Sequence, residues 1–337
     1  MLIRARLDRR ARRCPVRSLA LREAGELMVR TFMTSVLILS AASPTLAGDY
    51  PILRDRSKYG SMPHDQVDAT IRDIARFRHL RRRVLSHSSL MIGANYRPDP
   101  LGEGQQGRVD SDPRFQLAPV DCVTFVESTL AMALAGDLDQ AKRWMDRLRY
   151  SGTKVGFARR NHFMLANWLP HLKRHRVLRD ITRTIGEGDT LIHDYDKVNW
   201  SQIAPRFLPA NFDSMHPPKG RVELPLVSLD TLEANLKAVP NGTILLLVRV
   251  ERPRIPVRIS HLGFVIHQKS GRTIFRHASQ EGWGRVVDED LIRYLRRLDN
   301  RSKWAIQGVS LQLPRHPKTL PGTLLEPDQI ALKGWLP

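Results

Sequence analysis

Three stretches near the carboxyl end decide the fold: "TILLLVRV" (Thr243–Val250), "ISHLGFVIHQ" (Ile259–Gln268) and "RTIFRHAS" (Arg272–Ser279). Each is short, rich in β-branched and aromatic residues, and bounded by turn formers, which predicts strands; Gly271 and its neighbours turn the last two into a hairpin. "WAIQGVSLQL" (Trp304–Leu313) is a further strand candidate. The chain upstream reads as helix. "PHDQVDATIRDIARFRHLRRRVL" from Pro63 has Val67, Ile71, Ile74, Ala75 and Leu80 near helical spacing and predicts one helix with a basic back and Pro63 in its first turn. "CVTFVESTLAMALA" (Cys122–Ala135) is apolar nearly all round and predicts a core helix ending at Gly136, followed by an amphipathic helix over roughly 138–150. Helices first and antiparallel strands afterwards point to one α+β domain. The stretch from Ser151 to about Leu236 shows aromatic patches, "NHFMLANWLP" and "HDYDKVNW", and no sustained period.

The amino end follows other rules. Met28–Ala47, "MVRTFMTSVLILSAASPTLA", has one Arg, an apolar run from Val36 to Leu39 and then small residues, the pattern of a secretory signal. Thr45 and Ala47 suit the cleavage site, so the mature chain is expected to begin at Gly48 and to form a single domain over 48–337. Met1–Leu27 is an arginine-rich extension, read either as a long basic n-region or as residues ahead of the true start. The apolar run falls well short of the roughly 20 residues that span a bilayer, so no transmembrane segment is expected in the mature chain.

The 337-residue chain carries a formal charge of +20, and residues 1–47 hold nine Arg against three acidic residues, so +14 stays with the mature part. A basic exported protein is drawn to polyanions, which outside the cytoplasm are cell-wall polymers and anionic head groups. The export signal and the lack of any recognition-helix or zinc-finger pattern argue against nucleic acid as partner. Periplasm or cell envelope is the expected location. Cleavage would also remove Cys14 and leave Cys122 without an internal disulfide partner.

In "PVDCVTFVES" (Pro119–Ser128), Asp121 suits a helix cap and Cys122 the first helical position. Backbone N–H groups and the helix dipole there are expected to favour thiolate and to be able to hold an oxyanion. Two later residues complete a nucleophilic set: His261 near the start of a core strand, fit to take and return a proton, and His277 on the next strand, able to orient it. Ser279 shares a strand face with His277 and is the alternative orienter. "HLKRH" sets His171 and His175 four apart, a possible zinc pair, but no general-base Glu or further ligand accompanies them, so a basic helix face is the reading and no metal is assigned. "HDYD" (His193–Asp196) is a candidate substrate contact.

Taken in order, "GANY", a glycine-rich loop, "DCVTF", "SHLGFVI" and "FRHAS" resemble the motifs of the NlpC-type papain-like cell-wall hydrolases. The longer strings "PLGEG…GRVDSDPRFQLAPVDCVTFVES", "RRNHFM" and "SHLGFVI…FRHAS…GRVVDEDLI" are similar to the N-acetylmuramoyl-L-alanine amidase-like branch of that superfamily. The resemblance implies a papain-like fold with an enlarged middle insertion and no cofactor. It implies Cys122 as nucleophile, His261 as general base and acid, His277 as the orienting third member, Tyr96 beside the substrate groove, and Arg160, Asn161 and His162 in a branch-specific motif that contacts substrate. Arg97 and Pro98, where apolar or glycine-rich residues are expected, depart from the pattern. The implied reaction is cleavage of an amide in peptidoglycan or its fragments, foremost between N-acetylmuramic acid and L-alanine. Hydrolysis within the stem peptide is the enzymatic alternative, and a non-catalytic wall-binding module the alternative of another class.

Overall fold

The computed structural model describes residues 56–317, apart from positions 153, 210 and 281. The basic extension and the signal segment lie outside the described residues. Chain order begins with helices: α1 (Lys58–Ser61), α2 (His64–Ala75), α3 (Leu80–Leu90), α4 (Cys122–Leu134), α5 (Leu138–Arg149) and α6 (Leu169–Arg174). β1 (Leu178–Asp180), α7 (Thr182–Ile185), β2 (Thr190–Asp194), β3 (Arg221–Pro225) and α8 (Leu229–Ala234) form the middle. β4 (Thr243–Arg249), β5 (Ile259–His267), β6 (Thr273–Ser279), β7 (Arg285–Asp290), α9 (Leu291–Arg301) and β8 (Ile306–Pro314) complete it.

Six strands make one antiparallel sheet in the order β1-β8-β4-β5-β6-β7, while β2 and β3 pair separately. The sheet is covered on both sides, which explains why every residue of β4 is buried. Alternation sorts its side chains: Ile244, Leu246, Leu262, Phe264, Ile266, Ile274 and Ala278 join the core under α2–α5. Leu245, Leu247, Val265, Phe275, Val309 and Leu311 join a second core with Leu232 of α8 and Leu291 and Leu295 of α9. α4 lies against β5 and β6, with α3 and α5 beside it. Phe125 meets Phe264 edge to face at 5.6 Å, a contact that locks the first turns of α4 onto β5.

The single helix expected from Pro63 is two. α2 stops at Ala75, and the N–H groups of Arg76 and Phe77 close the turn on Asp73 and Ile74. His79 begins α3, and Arg83 Nε donates back to the Phe77 carbonyl at 2.8 Å. Pro63 sits at the cap position rather than inside the first turn. The unperiodic middle owes its order to long-range contacts instead of local pattern. Phe163 of one aromatic patch meets Trp200 of the other at 5.5 Å, and Trp200 stacks on Tyr195 at 6.2 Å. No helix among the described residues is long and apolar enough to cross a membrane.

Candidate active site

The turn before α4 carries a complete capping box. Asp121 Oδ1 accepts from the Thr124 N–H at 2.7 Å, and Thr124 Oγ1 accepts from the Asp121 N–H at 2.8 Å. Asp121 Oδ2 accepts from the N–H of Asp99 at 3.1 Å, so the same carboxylate ties down the incoming loop. Cys122 follows at the first helical position and keeps part of its surface open. Backbone N–H groups of Leu262, of Cys122 itself and of Val123 face its sulfur. The sulfur therefore sits against β5 at the residue directly after His261.

Burial pushes the Cys122 thiol up, the Asp121 carboxylate adds to this, and those three N–H groups oppose it without prevailing. The expectation of a resting thiolate is thus corrected: a helix start offers partial charges, and the loss of water around the sulfur costs more. His261 is lowered well below its ordinary value, first by burial and then by its neighbours His277 and Arg249. Both directions favour the uncharged forms, a thiol on Cys122 and a neutral imidazole on His261.

His261 Nε2 and His277 Nδ1 lie 2.7 Å apart. Their closeness depends on Gly263. The β5–β6 ladder runs from Phe264↔Arg276 to His267↔Thr273 and stops before His261. A Cβ at Gly263 would fall 2.6 Å from the Arg276 carbonyl oxygen and 2.8 Å from His277 Cβ, so a side chain would force the strands apart. Of the two candidate orienters, His277 therefore holds the position next to His261, while Ser279 lies farther along the same face, buried.

His277 is fully buried, and its Nε2 meets Glu289 Oε2 at 3.1 Å. The register Phe275↔Glu289 and His277↔Val287 puts Glu289 diagonal to His277 on the same face. Arg297 of α9 donates to Glu289 Oε1 at 2.6 Å. Burial alone would raise the Glu289 carboxyl, but the bonds from His277 and Arg297 outweigh it and hold it at about 2. Tyr294 closes the group, its ring 4.7 Å from His277 and 6.1 Å from His261. Sequence reading missed Glu289, Tyr294 and Arg297 because the short, acidic β7 did not stand out as a strand; the signal available was the acid-then-basic run "DEDLIRYLRR" (Asp288–Arg297).

The remaining predicted residues lie in the frame around the sulfur. Tyr96 bridges Val120, its N–H donates to the Gly284 carbonyl at 2.8 Å, and its side chain is half-buried on the core under α4. Arg97 is occupied by Asp112 at 2.8 Å. Arg160 is buried and reaches Glu103 and Asp110, each at 2.6 Å, and Asp99 at 3.3 Å. Asn161 and His162 are tied to backbone: the Asn161 N–H to Arg149 O at 2.7 Å, and His162 Nε2 to Phe157 O at 2.8 Å. Burial lowers His162 to about 4, so it is neutral. The Arg-Asn-His motif thus braces the glycine-rich loop and reaches the sulfur's turn through Asp99 and Asp121. His171 Nε2 bonds the Arg147 carbonyl at 2.7 Å with His175 edge-on at 4.5 Å. His193 is buried 3.5 Å from Arg258. Among the described residues no group of three or more His, Cys, Asp or Glu is placed to hold a metal ion.

Solved structures share this fold. A Legionella pneumophila protein superposes with a TM-score of 0.63 at 23% identity, covering 74% of this chain and 95% of its own. A Bacteroides uniformis protein named an N-acetylmuramoyl-L-alanine amidase gives 0.56 at 18% identity, covering 70% and 99%. A Bacteroides fragilis protein named as a candidate xylanase gives 0.55 at 24%, covering 68% and 99%. At such identities the likeness is one of fold, and the names belong to those proteins. No curated protein matches the chain. A family profile described as "AmiA-like: N-acetylmuramoyl-L-alanine amidase-like" matches residues 86–301, more than half of the length and all of the site, and the chain belongs to that family.

Proposed function

We propose that the protein is an exported cysteine amidase of the papain-like NlpC type, acting on the bond between the lactyl group of N-acetylmuramic acid and L-alanine in peptidoglycan or its fragments. Family membership supports an amidase acting on the wall. The observation that carries the cysteine mechanism is the meeting of the α4 start with β5: the Leu262 N–H faces the Cys122 sulfur, and the preceding His261 is paired with His277 at 2.7 Å.

In this mechanism the Cys122 sulfur attacks the amide carbonyl as its proton passes to His261. The N–H groups of Cys122 and Val123 hold the developing oxyanion, and the proton is then given to the leaving amine of L-alanine. Water enters and releases the acyl group by the same steps. Neither a cofactor nor a metal takes part. The signal segment at 28–47 and the positive charge of the mature part support a location in the periplasm or envelope, close to an anionic wall.

Mass spectrometry of digested muropeptides is the test. Release of an intact stem peptide is expected, whereas a shortened stem would move the assignment to an endopeptidase. Cys122→Ala is expected to abolish turnover and keep wall binding. Undiminished turnover in that variant would remove the cysteine mechanism, and wall binding with no turnover in either protein would leave a binding module.

A further inference from the structure

His277 is buried with both ring nitrogens engaged, Nδ1 by His261 at 2.7 Å and Nε2 by Glu289 at 3.1 Å. A carboxylate only accepts, so a neutral His277 carries its proton on Nε2 and leaves Nδ1 as an acceptor. Among the described residues the ring nitrogen within reach of that acceptor is His261 Nε2, which therefore donates. A neutral imidazole has one N–H, so His261 Nδ1 is left with its lone pair. Without a fixed acceptor behind His277 the chain of bonds has a second solution: proton on His277 Nδ1, donated to His261 Nε2, and His261 protonated on Nδ1. That second state has no base to offer a thiol.

We propose that Glu289 is a positioning residue that sets the tautomers of both histidines and so presents an unprotonated His261 Nδ1 to the Cys122 thiol. The inference rests on the cysteine mechanism above. The proton balance is closed without Glu289 changing state. As the S–C bond forms, the thiol proton goes to His261 Nδ1 and the carbonyl electron pair goes to oxygen, while His261 Nε2–H keeps donating to His277. As the C–N bond breaks, the Nδ1 proton goes to the departing nitrogen. Glu289 stays a carboxylate throughout, clamped by Arg297 at 2.6 Å. The other charged groups around the relay are Arg249 of β4, Asp288 of β7 and Asp121 at the start of α4.

Glu289→Gln tests this because the amide has only one accepting atom. Arg297 has no acceptor, so it takes the amide oxygen and leaves the NH2 facing His277 Nε2, which reverses both tautomers. The expected result is a folded protein with kcat lowered about 10²- to 10⁴-fold and KM little changed, the scale of a wrong tautomer or a lost base in related chemistry. Combining Glu289→Gln with Arg297→Met frees the amide to turn its oxygen to His277, and kcat is expected to recover about tenfold or more over Glu289→Gln alone. Glu289→Asp, which keeps an acceptor, is expected to retain more activity than the Gln variant. A purely structural role for Glu289 would make the double variant worse.

A second readout needs no substrate: the imidazole nitrogen resonances of the protein labelled with 15N-histidine. His261 Nδ1 is expected to be of the unprotonated type in the wild type and protonated in Glu289→Gln. A protonated Nδ1 in the wild type overturns the inference even if the Gln variant fails to fold. So does loss of kcat in Glu289→Gln with unchanged nitrogen signals, or a double variant no better than the single one. If Cys122→Ala stays active, the proposed mechanism falls, while the spectra still report whether Glu289 sets the tautomers.

Discussion

Two buried polar networks flank the cysteine and are built from similar residues, yet they work differently. On one side Arg160 is surrounded by the carboxylates of Glu103, Asp110 and Asp99, and Arg149 by Glu127 at 2.6 Å and the Leu101 carbonyl at 3.0 Å. On the other, Glu289 is surrounded by His277 and Arg297. The first network pairs guanidinium groups with carboxylates and ends on the backbone of a loop, so it fixes geometry. The second includes two rings whose protons have alternative positions, so it fixes a protonation pattern as well. Ion pairing in a protein interior is therefore informative about chemistry chiefly where a titratable ring is part of it.

Removing Arg160 should separate the two most sharply. Arg160→Met leaves the buried Glu103 carboxylate and the half-buried Asp110 without a counter-charge, a loss of about 3–5 kcal/mol. The expected outcome is a melting temperature lower by about 10 °C, checked by thermal unfolding, with an unchanged pH profile for the fraction that stays folded. A changed profile would mean that the loop network also governs the proton relay.

Gly263→Ala comes next. Its Cβ would meet the Arg276 carbonyl oxygen, His277 Cβ and the buried Phe275 ring, so about 1–3 kcal/mol of stability should be lost. Activity should drop further than stability explains, because the two histidines are pushed apart. Full activity in a folded Gly263→Ala protein would show that the 2.7 Å contact is dispensable.

Asp121→Ala should cost about 1 kcal/mol through the lost cap and, by removing a nearby negative charge, should lower the Cys122 thiol. The rate of alkylation by iodoacetamide near neutral pH checks this: it should be slow in the wild type, where burial keeps the thiol protonated, and faster in the variant.

A further check is the pH dependence of stability. Glu289 is held at about 2, below the ordinary carboxyl range. The sign follows: its stabilisation is present above its unfolded value, fades as pH falls below that value, and is gone once pH passes below about 2. Acid titration of the wild type against Glu289→Gln should show a difference above about pH 4.5 that closes towards pH 2.

The strands β4, β5, β6 and β8 were legible because their apolar runs are bounded by turns, and the start of α4 because a cap involves only residues 121–124. β7 was not legible, since "RVVDED" is half acidic, and Glu289 went unseen with it. The middle region was unreadable because its order comes from rings such as Phe163 and Trp200 meeting across 37 positions of chain. The Arg-Asn-His motif was visible as a motif, whereas its bracing role depends on carboxylates about fifty positions away.

Sequence alone thus singled out the candidate residues Cys122, His261 and His277 and the local segments that hold them, because capping and strand alternation act over a few bonds. Tertiary structure alone decided the ionisation of those residues and the partner behind His277. Both depend on what surrounds an atom in space: the water stripped from the Cys122 sulfur raises its pKa against the helix start, and only the pairing of β6 with β7 and the docking of α9 bring Glu289 and Arg297 into line behind the histidines.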